Sequence, residues 1–149
     1  MIALIQRVSS ARVSVDGQVR GDIGKGLLAL IGIERGDGPG QVTRLLKRLL
    51  DYRVFADDAG RMNRSLRDTG GGLLLVPQFT LAADTTSGNR AGFSTAAAPE
   101  VAASLFAQLV DAARAAHPLV ASGEFGAHMQ VSLTNEGPVT FWLQVSPKA

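Results

Sequence analysis

Two short stretches hold the residues most able to do chemistry: Pro77-Gln78-Phe79-Thr80-Leu81 and Asn135-Glu136-Gly137-Pro138-Val139-Thr140. The first ends a buried apolar run, Leu73 to Val76, with a proline. Proline cannot donate to a sheet ladder, so the strand must sit at an edge, bulge or break there. Backbone N–H groups at such a break can form an oxyanion hole, where losing one donor typically costs ~10²–10³ in rate. Thr80 is the only hydroxyl in Gln78-Phe79-Thr80, and read alone it is also an ordinary residue for a strand end. In the second stretch, proline fixes one dihedral and glycine leaves the backbone bare. A rigid tip without side chains suits a place where backbone must approach another group closely. Taken alone, the same six residues also make an ordinary turn between two alternating runs, His128 to Thr134 and Val139 to Val145, which read as antiparallel strands.

The familiar catalytic patterns are missing. Gly24-Lys25 lacks the preceding glycine of a phosphate loop, and there is neither a His-Glu-x-x-His nor a Gly-x-Ser-x-Gly motif. The chain has two histidines and no cysteine. His117 precedes Pro118 and reads as a helix terminator; His128 begins a strand on its polar face. Asp57-Asp58 reads as a turn. If the chain is an enzyme, backbone groups or the substrate must do much of the work, and no metal or cofactor is expected. Arg44, Lys47 and Arg48 share one helix face, Arg61, Arg64 and Arg67 recur every third residue, and Arg90 lies in a polar loop. These are a solvated surface or a phosphate-contacting footprint.

The elements that must position these residues follow from periodicity. Strands are expected at Ile2 to Val8 and Arg12 to Val15, interrupted by Ser9-Ser10. Asp16-Gly17 should turn the chain back into Gln18 to Ile23. Leu27 to Ile33 is nearly all apolar and predicts a buried central strand. A helix over about Gln41 to Asp51 would bury Val42, Leu45, Leu46, Leu49 and Leu50. Short strands are expected at Tyr52 to Ala56 and Arg61 to Leu66, with a flexible Asp68 to Gly72. Pro99 should open a second helix that runs to about Ala116 and buries Ala102, Leu105, Phe106, Leu109, Val110 and Ala113, before a short strand near Leu119 to Ser122. At 149 residues and 46% hydrophobic composition, one α/β domain over 1–149 is expected, with two helices on a curved, mostly antiparallel, barrel-like sheet. A net charge of +2 permits a nucleic-acid partner without demanding one. No run approaches the ~18 apolar residues of a membrane span, and a soluble, cytoplasmic protein is expected.

The two stretches together, in this order, with the opening Met1-Ile2-Ala3-Leu4-Ile5-Gln6-Arg7-Val8 and the run Met129-Gln130-Val131-Ser132-Leu133, resemble the D-aminoacyl-tRNA deacylases over nearly the whole chain. The resemblance implies hydrolysis of the ester joining a D-amino acid, or glycine misplaced on a tRNA, to the terminal adenosine. It implies a homodimer with active sites at the subunit interface, and a cis Gly137-Pro138 tip that enters the partner's pocket and rejects L-residues by collision. Phe79, Thr80 and Gln78 would be the catalytic positions; Gly137, Pro138, Pro77, Arg7 and Met129 would contact or position substrate. The RNA 2′-hydroxyl would assist the attacking water. One departure stands out: Pro77 occupies a position where this family usually has serine. A branch that removes L-alanine has proline there but alanine where this chain has Phe79. Two alternatives are an editing deacylase of relaxed chirality and a non-catalytic tRNA-binding dimer.

Overall fold

The structure, a computed structural model, describes residues 1–147. It is organised around β1 (Ile2–Val15), a strand of 14 residues with three antiparallel partners. On one side, β3 (Gly26–Gly32) pairs with its first half and β2 (Gln18–Ile23) with its second half. The other side is covered along nearly its whole length by β8 (Gln130–Gln144). Ser9-Ser10 does not interrupt β1 as expected. The chain passes through, and the irregularity appears as two register shifts against β8, between Gln6 and Val8 and between Val8 and Ser10. A bulge lets a strand continue through residues that do not fit its ladder.

β3 then pairs in parallel with β6 (Gly72–Pro77), and β6 in parallel with β7 (Val120–Ser122). The sheet curls until β2 lies over β6 and β7. A Cβ at Gly21 would stand 2.8 Å from Leu74 Cδ1 and 3.2 Å from the Ser122 carbonyl, so glycine allows this close approach and a larger residue would have to push Leu74 aside. The result is the nearly closed, barrel-like sheet that the alternating patterns implied. Val8, Val13, Ile23, Leu28 and Leu74 fill one core inside the curl. On the opposite face α1 (Pro39–Asp51) and α3 (Pro99–Ala116) bury the apolar residues expected of them. Fully burying one such leucine is worth about 1.5–3 kcal/mol, which is why the 3.6-residue stripe located both helices.

Three expectations need correction. The runs His128–Thr134 and Val139–Val145 do not form a hairpin; both belong to β8 and pair in sequence with β1. Between Val8↔Asn135 and Gln6↔Thr140, β1 spends one residue and β8 spends four, so Glu136 to Val139 loop out sideways. Alternation alone cannot distinguish a hairpin from one strand with a large bulge, because both keep the period of two. Residues 61–66 hold only a three-residue strand, β5 (Met62–Arg64), paired with β4 (Phe55–Ala56). A third helix, α2 (Leu66–Thr69), follows where a flexible segment was expected. Ser65 accepts from the Asp68 N–H and Asp68 from the Ser65 N–H, a capping box that holds one helical turn.

The α-ammonium of Met1, itself fully buried, donates to Glu34 and Asp37 at 2.9 Å each and to the Val145 carbonyl at 2.7 Å. Burial pushes the Asp37 carboxyl above its ordinary value, against the hydrogen bond from the ammonium. Asp37 also accepts the Glu34 N–H at 2.7 Å, which fixes the loop between β3 and α1. Among the described residues, no helix is long and apolar enough to cross a membrane.

Candidate active site

β6 delivers Pro77 to the site for a geometric reason. Its N–H groups alternate between neighbours, and Leu73 N–H donates to the Leu119 carbonyl on the β7 side. By that alternation the Pro77 nitrogen also faces β7, which has already ended at Ser122. The proline therefore sits at an end where no donor is required, as the expectation of a break demanded. Gln78 N–H closes onto the Ile31 carbonyl at 2.7 Å. The chain then turns, with Gln78 at φ −140° and ψ 82°, into a single 3-10 turn, Phe79–Ala82. The first N–H groups of such a turn have no acceptor within it. Those of Phe79 and Thr80 find no other backbone acceptor among the described residues.

Beside this turn lies a cleft of about 920 Å³, lined by Pro77, Gln78, Phe79 and Met129, with Ile31, Phe93, Phe106 and Phe125 among its apolar walls. Among the described residues, its charged or titratable lining residues are Arg35 and His128, and no carboxylate reaches it. Thr80 is on the far side of the turn. It opens to a second cavity of about 460 Å³ that does carry carboxylates, Glu34 and Asp84, together with Trp142 and Gln144. The Gln78 side-chain amide crosses between the two, donating to the Thr80 hydroxyl oxygen. Among the described residues, no imidazole or carboxylate hydrogen-bonds that hydroxyl. The single chain thus places no base among its described residues within hydrogen-bond reach of Thr80, the arrangement that activation of a hydroxyl requires.

Arg7, Gly137 and Pro138 gather elsewhere, and none of them lines the cleft. The Arg7 guanidinium donates to the Glu136 carbonyl at 2.9 Å and the Val54 carbonyl at 2.8 Å. Asn135 braces the excursion from inside. Its oxygen accepts the Val139 N–H at 2.7 Å, and its amide donates to Thr140 Oγ1 at 2.9 Å. The Gly137–Pro138 peptide is cis, and Gly137 has φ +139°. A Cβ on Gly137 would lie 2.7 Å from Val139 Cγ2 and 3.1 Å from an Arg7 guanidinium nitrogen. The tip is exposed, and its backbone is presented outward.

Sequence reasoning missed Arg35 and Phe93 at the cleft and the bracing role of Asn135. An asparagine opening a turn is a signal for such a brace; Arg35 and Phe93 lie in loops without periodicity. His117 is structural, as expected of a terminator: it is buried, with Nε2 2.6 Å from the Gly71 carbonyl. Among the described residues, no group of three His, Cys, Asp or Glu side chains could hold a metal.

The family model described as D-Tyr-tRNA(Tyr) deacylase matches residues 4–144. A D-aminoacyl-tRNA deacylase of Thioalkalivibrio sulfidiphilus is 64% identical over 99% of each chain. One of Xanthomonas oryzae pv. oryzae is 66% identical over 97% of this chain and 99% of its own. Among solved structures, the c-Myc DNA unwinding element binding protein superposes with a TM-score of 0.93 at 34% identity, covering 98% of this chain and 99% of that one. A probable eukaryotic D-amino acid tRNA deacylase shares the fold at a TM-score of 0.78 and 19% identity, over 97% and 98% of the two chains.

Proposed function

The chain belongs to the D-Tyr-tRNA(Tyr) deacylase family, hydrolases of ester bonds, and on that premise we propose how its own residues cleave a D-aminoacyl-tRNA. The observation that carries the reading is the pair of N–H groups, Phe79 and Thr80, without a backbone acceptor in a turn whose Phe79 lines a cleft that has no carboxylate among the described residues. The ester carbonyl oxygen lies against these donors. Water attacks the carbonyl carbon, and the negative charge that develops on the oxygen is met by the two N–H dipoles. Collapse breaks the bond to the ribose oxygen, which takes up a proton, releasing free D-amino acid and tRNA. The neighbouring 2′-hydroxyl of the substrate orients the water, since Thr80 has only the neutral Gln78 amide beside it. The terminal nucleoside rests on Met129 and Pro77.

Selection by handedness falls to the tip. In a homodimer, Glu136 to Pro138 of one subunit enter the cleft of the other. The bare backbone there leaves room for the hydrogen of a D-residue or glycine and collides with the side chain of an L-residue. The tip's exposure and its absence from its own cleft support this arrangement. Arg7 and Asn135 hold it rigid. Such proofreading takes place in the cytoplasm, where aminoacyl-tRNA is made and used.

The test is a paired time course on D-Tyr-tRNA and L-Tyr-tRNA at nanomolar protein, with the mass in solution measured in parallel. Release of D-Tyr with L-Tyr spared, by a particle of twice the chain mass, is expected. Release of neither would overturn the proposal. Release of both would remove the chiral sieve and point to Pro77 as its weak element.

A further inference from the structure

Three aromatic pairs are found among the described residues, and they are not alike. Tyr52 with Phe141 and Phe106 with Phe125 pack into the main core. Phe79 and Phe93, with ring centroids 5.4 Å apart and planes inclined at 41°, belong to neither core cluster. They are 59% and 47% exposed, and both line the cleft. Two adjoining phenylalanines left in water at the mouth of a cleft call for an occupant.

The same mouth carries Arg35. It is exposed and makes no ion pair among the described residues. The nearby carboxylates, Glu34 and Asp37, are engaged by the Met1 ammonium. The backbone of Arg35 is fixed next to Phe93: Arg35 N–H donates to the Thr95 carbonyl at 2.9 Å, Ala97 N–H to the Ile33 carbonyl at 3.1 Å, and Ala96 N–H to the Phe93 carbonyl at 3.1 Å. The cleft thus presents an aromatic platform beside a cation, with no carboxylate to repel an anion. A single-stranded RNA end offers the complement of both, a base face and a phosphate in every nucleotide.

We propose that Phe79 and Phe93 stack the base of the nucleotide preceding the terminal adenosine, and that Arg35 takes the phosphate between those two nucleotides. This seat for the single-stranded 3′ end rests on the deacylase reading and adds to it the grip on the RNA beyond the reacting nucleoside. It gives Phe93 and Arg35 a role in RNA affinity, apart from the N–H donors that act on the ester.

The test compares the full-length protein with Phe93→Ala and Arg35→Gln on two substrates. One is D-Tyr-tRNA. The other is 3′-O-D-tyrosyl-adenosine, which lacks the preceding nucleotide and its phosphate. Each variant is expected to lose about tenfold in kcat/KM on the tRNA, carried by KM, in line with one stacked base or one charged contact. The loss on the nucleoside ester should be several-fold smaller. Arg35→Gln should also flatten the salt dependence of the tRNA KM by about 0.7 in log–log slope, the value of one phosphate contact on a single strand. Equal losses on both substrates, or no loss on the tRNA, would overturn the seat. So would a change of sedimentation coefficient in Phe93→Ala, which would make the aromatic pair a contact between copies of the chain. If the unaltered protein cleaves neither substrate, the deacylase reading fails by itself. Fluorescence anisotropy with a labelled CCA-ended oligoribonucleotide then decides the seat: tenfold weaker binding by Phe93→Ala upholds it, and equal binding refutes it.

Discussion

The cleft at Pro77–Phe79 and the tip at Glu136–Pro138 are both interruptions of a strand, but they are built in opposite senses. At the cleft a strand stops. β6 loses its β7 neighbour before Pro77, a 3-10 turn begins, and the Phe79 and Thr80 N–H groups are left without a backbone acceptor among the described residues. At the tip a strand continues, and four residues are expelled from the ladder of β8 and held outward by Arg7 and Asn135. Lys47 and Arg67 both hold Asp51 at the end of α1, three residues before the Val54 carbonyl that anchors Arg7. Among the described residues, the cleft has no carboxylate. A concave, mostly apolar recess can stabilise charge that appears only during reaction, because its dipoles are preorganised and poorly screened. A convex, braced backbone can only exclude. In the proposed reading one region serves rate and the other selection.

That division is open to attack from either side. The largest effect should come from the cleft donor itself. Phe79→Ala removes the ring, whereas Phe79→Pro removes the ring and the N–H. Position 79 opens the 3-10 turn, where proline is favoured, and Gln78 before it, at φ −140° and ψ 82°, lies outside the α region that a following proline disfavours. The proline variant should turn over D-Tyr-tRNA ~10²–10³ more slowly than the alanine variant; equal kcat values would show that this N–H does no catalytic work.

At the tip, Gly137→Ala places a Cβ 2.7 Å from Val139 Cγ2, at a φ of +139° that L-residues rarely adopt. Strain of about 1–3 kcal/mol should displace the backbone and lower D-substrate turnover by roughly 10–100-fold. Arg7→Ala frees the Glu136 and Val54 carbonyls and should cost about tenfold, from lost charged hydrogen bonds of roughly 1.5–3 kcal/mol each partly replaced by water. If the tip selects, both variants should also change the ratio of D-Tyr to L-Tyr release measured on the two esters. An unchanged ratio would confine selection to the cleft.

Thr80→Ala should be milder, within about tenfold in kcat, because the hydroxyl has no base. Loss of all turnover with intact tRNA binding would restore Thr80 as the nucleophile.

The smallest effect concerns the ion pairs on the tip side. Hydrogen bonds from Lys47 first and Arg67 second hold the Asp51 carboxyl below its ordinary 3.8. A depressed folded-state value means the stabilisation is present above that pH and is lost as the pH falls through the lower, folded value. The pair is exposed, so Asp51→Asn should cost less than about 1 kcal/mol in urea titrations at pH 7. The difference between the two proteins should shrink in acid and in high salt.

The residues themselves show how far the sequence could be read. Leu45, Leu49, Leu105 and Leu109 announced their helices because burying one face fixes the spacing. Asp16-Gly17 announced the β1–β2 hairpin because few residue pairs make that turn. Asn135 to Thr140 announced a special backbone but not its form, since the hydrogen-bond partner that reveals a bulge, β1, lies more than 120 residues away. Pro77 announced the end of a strand without saying which neighbour ran out.

By itself, then, the sequence determined the periodic elements, the family resemblance and the two interruptions, because local sterics and face burial are written in consecutive residues. The tertiary structure alone decided that one interruption is a recess and the other a projection, that Thr80 turns from the cleft towards Glu34 and Asp84, and that Arg35 and Phe93 meet at its mouth. Those outcomes depend on which strand lies beside which, and long-range pairing is fixed by the closure of the whole sheet and not by any stretch of it.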